Sequence, residues 1–345
     1  MIPGVDMVST TGTPCEAAFP MPYPTSASDH RIDVNDATDL PLAESSRFAV
    51  RAEELGFSGV GIPDHPHTGR DVFVRLVLAA QQTERVTLFP SVANPVTRHP
   101  KMLASLAATL GEAAPGRSCL MIGSGDLAVK YLGEPGATAS QLADAAETIR
   151  RTRDSEFALA APVPVYINAS SPRMLEAAGA AADGVYAMVG VDPEVVATAM
   201  DHVAAGARDA QRNADSIPVA LGLPVFMADS EQRAYESAAR YALSGLLNRN
   251  RVYSRLMRER MPSLEDVSQA SDLSTEQLHR LVDAMVAHGT PQQAAERALA
   301  FAERAPTRHF IARVQLAGEG PLRAIEAFAS ALRAAGGESV LRPSG

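Results

Sequence analysis

Eight short apolar blocks recur along the chain: "HRIDV" at 30–34, "FSGVGI" at 57–62, "RVTLFPSV" at 85–92, "SCLMIG" at 118–123, "VPVYIN" at 163–168, "GVYAMV" at 184–189, "IPVALGLPVFMA" at 217–228 and "RHFIARV" at 308–314. Most are near-continuously hydrophobic, the pattern of a strand buried on both faces, and "HRIDV" fits it least. Between them lie segments whose apolar residues return every three or four positions, as in the helix that places Leu42, Phe48, Ala49, Ala52 and Leu55 on one face before Gly56. Strand and helix therefore alternate. That alternation implies a parallel sheet, and eight repeats predict an α/β fold closed into a (β/α)8 TIM barrel.

Start and stop residues sharpen the boundaries. Asp71 is placed to cap the second helix, Pro100 opens a helix that Gly111 is expected to close, and another helix is predicted over 137–153. Ser171-Pro172, Asp192-Pro193, Ser230 and Thr290-Pro291 mark four further helix starts. Residues 248–288 are too long for a simple loop and are read as a helical insertion before the last strand, a lid or a dimer element. Residues 1–29, rich in Pro, Ser and Thr, show no sustained period and are read as an irregular N-terminal extension, with 30–345 a single barrel domain.

Composition narrows the function classes. The 345 residues are 46% hydrophobic, contain no long uncharged apolar run and show no signal-like start, so no membrane span is predicted and a cytoplasmic location is expected. A net charge of −9 with scattered basic residues argues against nucleic acid. Cys15 and Cys119 lack metal-ligand spacing, so no metal site is expected.

A barrel gathers its chemistry at the C-terminal ends of the strands. Those ends are Pro63-Asp64-His65, Ser91-Val92-Ala93-Asn94, Gly123-Ser124-Gly125-Asp126, Asn168-Ala169-Ser170-Ser171 and Met188-Val189-Gly190. Asp64-His65 sets an acid beside an imidazole, a pair able to bind a polar ring and move a proton near neutral pH. "SVANPVTRHP" at 91–100 breaks an apolar strand with polar residues and two prolines, which suits a bulge beneath a flat ligand. "GSGD" at 123–126 offers glycines for close backbone approach but lacks the third glycine of a dinucleotide fingerprint. In "NASSPRML", Ser171 caps a helix whose first turn points free N–H groups outward, a seat for phosphate that Ser170 and Arg173 can strengthen.

Taken as an ordered set, Asp64-His65, "SVANPVTRHP", "PGR" leading into "GSGD", "KYLG" at 130–133 and "PVYINASSPRMLEAAGAAADGVYAMVG" resemble the bacterial-luciferase-like superfamily, most closely its deazaflavin branch. The likeness covers about residues 40–228 well and 288–335 loosely. It implies a barrel, usually a homodimer, that holds coenzyme F420 or FMN at the strand ends and acts on a small-molecule substrate. By position, the resemblance makes Ser91–Val92 a non-prolyl cis peptide behind the cofactor ring. It sets Asp64 and Asn94 against the ring or its tail, with Gly123, Gly125, Ala169 and Met188 close by. Ser170, Ser171 and Arg173 take the phosphate, and His65, Asp126 and Asp64 are the catalytic candidates. Two departures bear on the substrate: the chain has no tryptophan, and Leu127 stands where a polar residue is usual. The resulting expectation is F420-dependent hydride transfer, with a reduced-FMN monooxygenase and a non-catalytic flavin-binding barrel as alternatives.

Overall fold

A computed structural model of the chain describes residues 30–36, 40–157, 162–247 and 253–341; the expected extension at 1–29 lies outside them. The strands β1 (Arg31–Asn35), β2 (Gly59–Ile62), β3 (Thr87–Pro90), β4 (Leu120–Ile122), β5 (Val165–Ala169), β6 (Gly184–Ala187), β7 (Val219–Met227), β8 (Ala287–Gly289) and β9 (His309–Leu316) form one parallel sheet. Its order is β3-β2-β1-β9-β7-β6-β5-β4, and β8 pairs only with β7. The two ends meet: Leu88 N donates to Arg117 O at 2.9 Å, Cys119 N to Leu88 O at 3.1 Å and Ala93 N to Met121 O at 3.0 Å. The eight expected blocks thus close into the barrel that the alternation predicts.

The helices cover the outside. They are α1 (Leu42–Glu54), α2 (Val72–Ala80), α3 (Pro100–Ala113), α4 (Asp126–Leu132), α5 (Ala139–Glu156), α6 (Pro172–Ala181), α7 (Pro193–Asp209), α8 (Glu231–Leu247), α9 (Tyr253–Arg260), α10 (Thr275–Met285), α11 (Pro291–Arg304) and α12 (Pro321–Ala334). The main core packs helices against the outer faces of the strands. A second core of Phe89, Cys119, Met121, Tyr166, Tyr186, Ala220 and Ile311 fills the barrel itself. Period-two alternation sends Arg31, Asp33 and Asn35 of β1 inward beside His309, Ile311 and Arg313 of β9.

Local chemistry explains most helix boundaries. Asp71 accepts from Phe73 N and Val74 N, Asp192 from Glu194 N and Val195 N, and Thr138 and Thr290 each form a capping box with a glutamine. Three details differ from the sequence reading. Gly111 does not close α3, which runs on to Ala113 and turns out at Ala114, just before Pro115. Leu42, at the first turn of α1, is 42% exposed rather than on the buried face. The 248–288 segment ends in β8: β7 outruns β6 by several residues, and β8 takes the edge of β7 that β6 leaves open, pairing Ala287, His288 and Gly289 with Val225, Phe226 and Met227.

One clamp fixes the approach to β3. The Glu53 carboxylate at the end of α1 accepts from Glu84 N, Arg85 N and Val86 N at 2.6–3.2 Å. Partial burial raises its pKa, but the three backbone donors outweigh burial and hold it below the usual glutamate range. A carboxyl depressed on folding stabilises above its ordinary pKa and loses that contribution as pH falls through the folded value. Glu53→Ala is expected to lower stability by about 1–2 kcal/mol at pH 7, toward the lower end because the clamp is partly solvated. Urea titrations should show the gap to the parent narrowing below about pH 4; a gap constant down to pH 3 would contradict the clamp.

Candidate active site

An open cavity of about 190 Å3 lies at the C-terminal mouth of the barrel. Its walls come from the ends of β1, β2, β3, β5, β6, β7 and β9 and from Leu127 on α4 and Tyr241 on α8. A water-sized chamber of about 10 Å3, lined by Gly190 and Met285 as well, shares Met188, Gly222, Pro224 and Tyr241 with it.

The β3 wall is a bulge. Between the bridges Leu88 to Ser118 and Ala93 to Ile122, five residue steps on the β3 side face four on the β4 side. The extra residue falls in the polar break, and Ser91–Val92 is cis, as the resemblance implies. Gly123 and Gly125 allow β4 to end against this bulge. A Cβ on Gly123 would lie 2.7 Å from Val92 Cγ2, and one on Gly125 2.8 Å from Asn94 Cγ. The close approach those glycines permit is thus made by the protein's own side chains.

Asp64 and Asn94 flank the bulge, both buried. One Asp64 oxygen, Oδ2, is ion-paired with Arg98, whose other arm reaches Asp71 Oδ2 at 2.8 Å and whose guanidinium lies 5.6 Å from the Phe73 ring centroid. Asp64 Oδ1 is buried with no hydrogen-bond partner. Burial pushes the Asp64 carboxyl above its usual range, with Arg98 pulling it back. Asn94 spends its oxygen on Val96 N at 3.1 Å and Thr97 N at 2.8 Å, leaving Nδ2 buried and unpaired. An acceptor and a donor therefore stand unsatisfied on either side of the bulge, next to the lining residues Pro63, His65, Ser91 and Val92, although neither Asp64 nor Asn94 itself lines the cavity.

His65 lines the cavity and begins the short turn Pro66–Thr68; its ring lies 5.4 Å from that of His67, which is 6.0 Å from Tyr131. Met188, Ser91 and Val92 share the lining. Asp126 is the first residue of α4, and its side chain lies outside the described residues. Ser170 follows β5, and Ser171 caps α6 by accepting from Met174 N at 3.2 Å. Pro172 carries no N–H and the Ser171 side chain takes up Met174 N, so this helix start keeps fewer free backbone donors than an uncapped one without proline. Arg173 is exposed beside it. Ser170, Ser171 and Arg173 stand outside the cavity wall, as does Ala169 at the end of β5.

Asn168, in the expected strand end, lines the cavity, whereas Tyr186, Arg313 and Tyr241 escaped the sequence reading. Tyr186 projects from β6 and takes a hydrogen bond from Asn35; burial pushes its pKa up to about 12, so it stays protonated at neutral pH. Asn168 donates to Tyr186 O at 3.2 Å. Arg313 and Tyr241 face the cavity with the guanidinium 5.8 Å from the ring centroid. Inward parity on β6 and β9 was the available signal for two of them; Tyr241, on a helix, carried none. Among the described residues no cluster of His, Cys, Asp or Glu could hold a metal, and no helix is long and apolar enough to cross a membrane.

Comparison with known proteins agrees with this architecture. The 5,10-methylenetetrahydromethanopterin reductase of Methanolobus tindarius is 30% identical over 222 residues, which span 59% of this chain and 67% of that protein. An F420-dependent glucose-6-phosphate dehydrogenase of Beutenbergia cavernae is 30% identical over 236 residues, 59% of this chain and 70% of that protein. The structure of an F420-dependent secondary alcohol dehydrogenase in complex with an F420–acetone adduct shares the fold with a TM-score of 0.69 at 19% identity, covering 89% of this chain and 99% of that one. The family model for luciferase-like monooxygenases matches residues 25–308. With that match over most of its length, the chain belongs to the luciferase-like monooxygenase family.

Proposed function

We propose that the protein is an oxidoreductase that binds coenzyme F420 at the barrel mouth and exchanges a hydride between it and a small organic substrate. The observation that carries the cofactor assignment is the pair of buried, unsatisfied atoms, Asp64 Oδ1 and Asn94 Nδ2, flanking the Ser91–Val92 bulge. Relatives named for F420 support the choice of deazaflavin over FMN.

When bound, F420 supplies the hydride chemistry; the chain supplies binding, orientation and proton handling. Asp64 and Asn94 meet the polar edge of the ring system, the bulge with Val92 backs it, and Gly123, Gly125, Ala169 and Met188 shape the space around it. Ser170, Ser171, the start of α6 and Arg173 hold the tail phosphate. Arg98 keeps Asp64 in place through the ion pair. His65, in the cavity wall, gives or takes the substrate proton, and Tyr186 remains a hydroxyl donor. The role of Asp126 beside the reacting face rests on the resemblance alone. Val74 on α2 and Met102 on α3, 53% and 57% exposed, offer apolar surface for a homodimer, and a cytoplasmic setting completes the reading.

Fluorescence titration of the protein with F420 and, separately, with FMN tests the assignment. The expected result is saturation by F420 with FMN at least about tenfold weaker, a difference of about 1.4 kcal/mol. Preferential binding of FMN with oxygen uptake would replace the reading by a monooxygenase, and binding of neither would remove it.

A further inference from the structure

Arg313 is the feature of the cavity that the cofactor reading does not use. It projects inward from β9, and its Nε is buried without a hydrogen-bond partner. No ion pair balances its guanidinium among the described residues. The carboxylate that shares the cavity lining, Asp36, is fully buried and already engaged by Arg75 at 2.6 Å and by Ser45 at 3.0 Å. The neighbouring inward residue of β1, Asn35, leaves its own oxygen unpaired. A guanidinium with an unspent donor, facing a cavity whose carboxylate among the described lining residues is already paired with another arginine, is the arrangement that recruits an anion.

Position separates this charge from the cofactor wall. The bulge belongs to β3, and β9 lies three strands away around the barrel, past β2 and β1. Beside Arg313 stand Pro224, its register partner on β7, and Tyr241 from α8, which leads into the chamber with Met188 and Met285. These groups give an apolar wall with one cation at its edge.

We infer that Arg313 anchors an anionic group, a carboxylate or a phosphate ester, on the substrate, so that the substrate class is small organic anions with an apolar or neutral reacting end. The Tyr241 ring holds the guanidinium from one side, leaving its donor edge to the ligand. The inference rests on the proposed oxidoreductase for the word substrate, but the anion site itself stands on the side chains alone.

The test uses the full chain without added cofactor. Melting temperature is followed against inorganic phosphate and, separately, acetate, at an ionic strength held constant with sodium chloride. The parent protein is expected to gain a few degrees with at least one of the two anions, and which one responds distinguishes phosphate from carboxylate. Arg313→Gln should weaken that anion by roughly tenfold or more, whereas Arg313→Lys, which keeps the charge but not the planar fork, should retain only part of the effect. Both variants should bind F420 within about threefold of the parent. An unchanged anion response in Arg313→Gln, or no response beyond chloride in the parent, overturns the anchor. Loss of F420 binding in Arg313→Gln assigns the charge to the cofactor and also overturns it. If Arg313→Gln does not fold, Tyr241→Leu decides: it should weaken the anion response several-fold, and an unchanged response counts against the site. Failure of the parent to bind F420 at all would remove the proposed function while leaving the anion result intact.

Discussion

Replacing Arg75 by methionine is expected to destabilise the protein by about 3–5 kcal/mol, a large share of the stability of an ordinary domain. Arg75 projects from α2 into the interior with 2% of its surface exposed, and Asp36, just past β1, is fully buried. Its Nη2 meets Asp36 Oδ2 at 2.6 Å, while Nη2 and Nε reach Ser45 Oγ at 3.0 and 3.2 Å, and that hydroxyl donates to the same carboxylate at 3.0 Å. The network ties α1, α2 and the end of β1 together beneath the cavity. Methionine fills similar volume without the charge, so the loss comes from stranding a carboxylate in a medium that solvates it poorly. Adding Asp36→Asn should recover part of the loss, giving a coupling of at least about 1 kcal/mol in a double-mutant cycle of urea midpoints. A single variant within 1 kcal/mol of the parent would show that the pair is not the tie described.

The second large effect concerns ligand rather than stability. Ser171→Asp is expected to weaken F420 binding by on the order of a hundredfold or more while leaving folding nearly unchanged. Ser171 has the extended backbone of a helix cap, and its Oγ already accepts from Met174 N. Aspartate caps as well as serine does, so α6 keeps its start. The new carboxylate instead occupies the place proposed for the cofactor phosphate. Losing two charge-assisted hydrogen bonds at roughly 1.5–3 kcal/mol each accounts for the factor. Unchanged affinity, in a variant whose melting temperature matches the parent, would move the phosphate elsewhere.

Features set by neighbouring residues were legible in the sequence. Thr290-Pro291, Asp192-Pro193 and Ser171-Pro172 start helices because cap and first turn lie within four residues of each other. The bulge at 91–92 showed as a polar break in an apolar strand. Features decided by distant partners were not legible. The three residues of β8 pair only because β7 outruns β6, a length difference that no local pattern encodes. Gly111 stays helical because the tertiary context carries α3 past it, overriding the usual C-terminal preference of glycine. The seven-residue α4, bounded by Gly125 and Gly133, is too short for its period to register. Arg313 was readable in principle, since His309, Ile311 and Arg313 share one parity. A charged residue near a strand end more often marks the surface, and the closed barrel reversed that expectation.

The extra strand β8 has an evolutionary consequence. The bulge side of the mouth is underpinned by the barrel's own ties, Glu53 on the approach to β3 and Arg98 on Asp64, so altering it perturbs the scaffold. The opposite side takes Tyr241 and Met285 from α8 and α10, on the long excursion that β8 stitches back to β7. Changes in that excursion can reshape one half of the mouth while the other half keeps its form. Such a protein can exchange what it acts upon and retain what it works with, and family members are expected to diverge first in the stretch between β7 and β8.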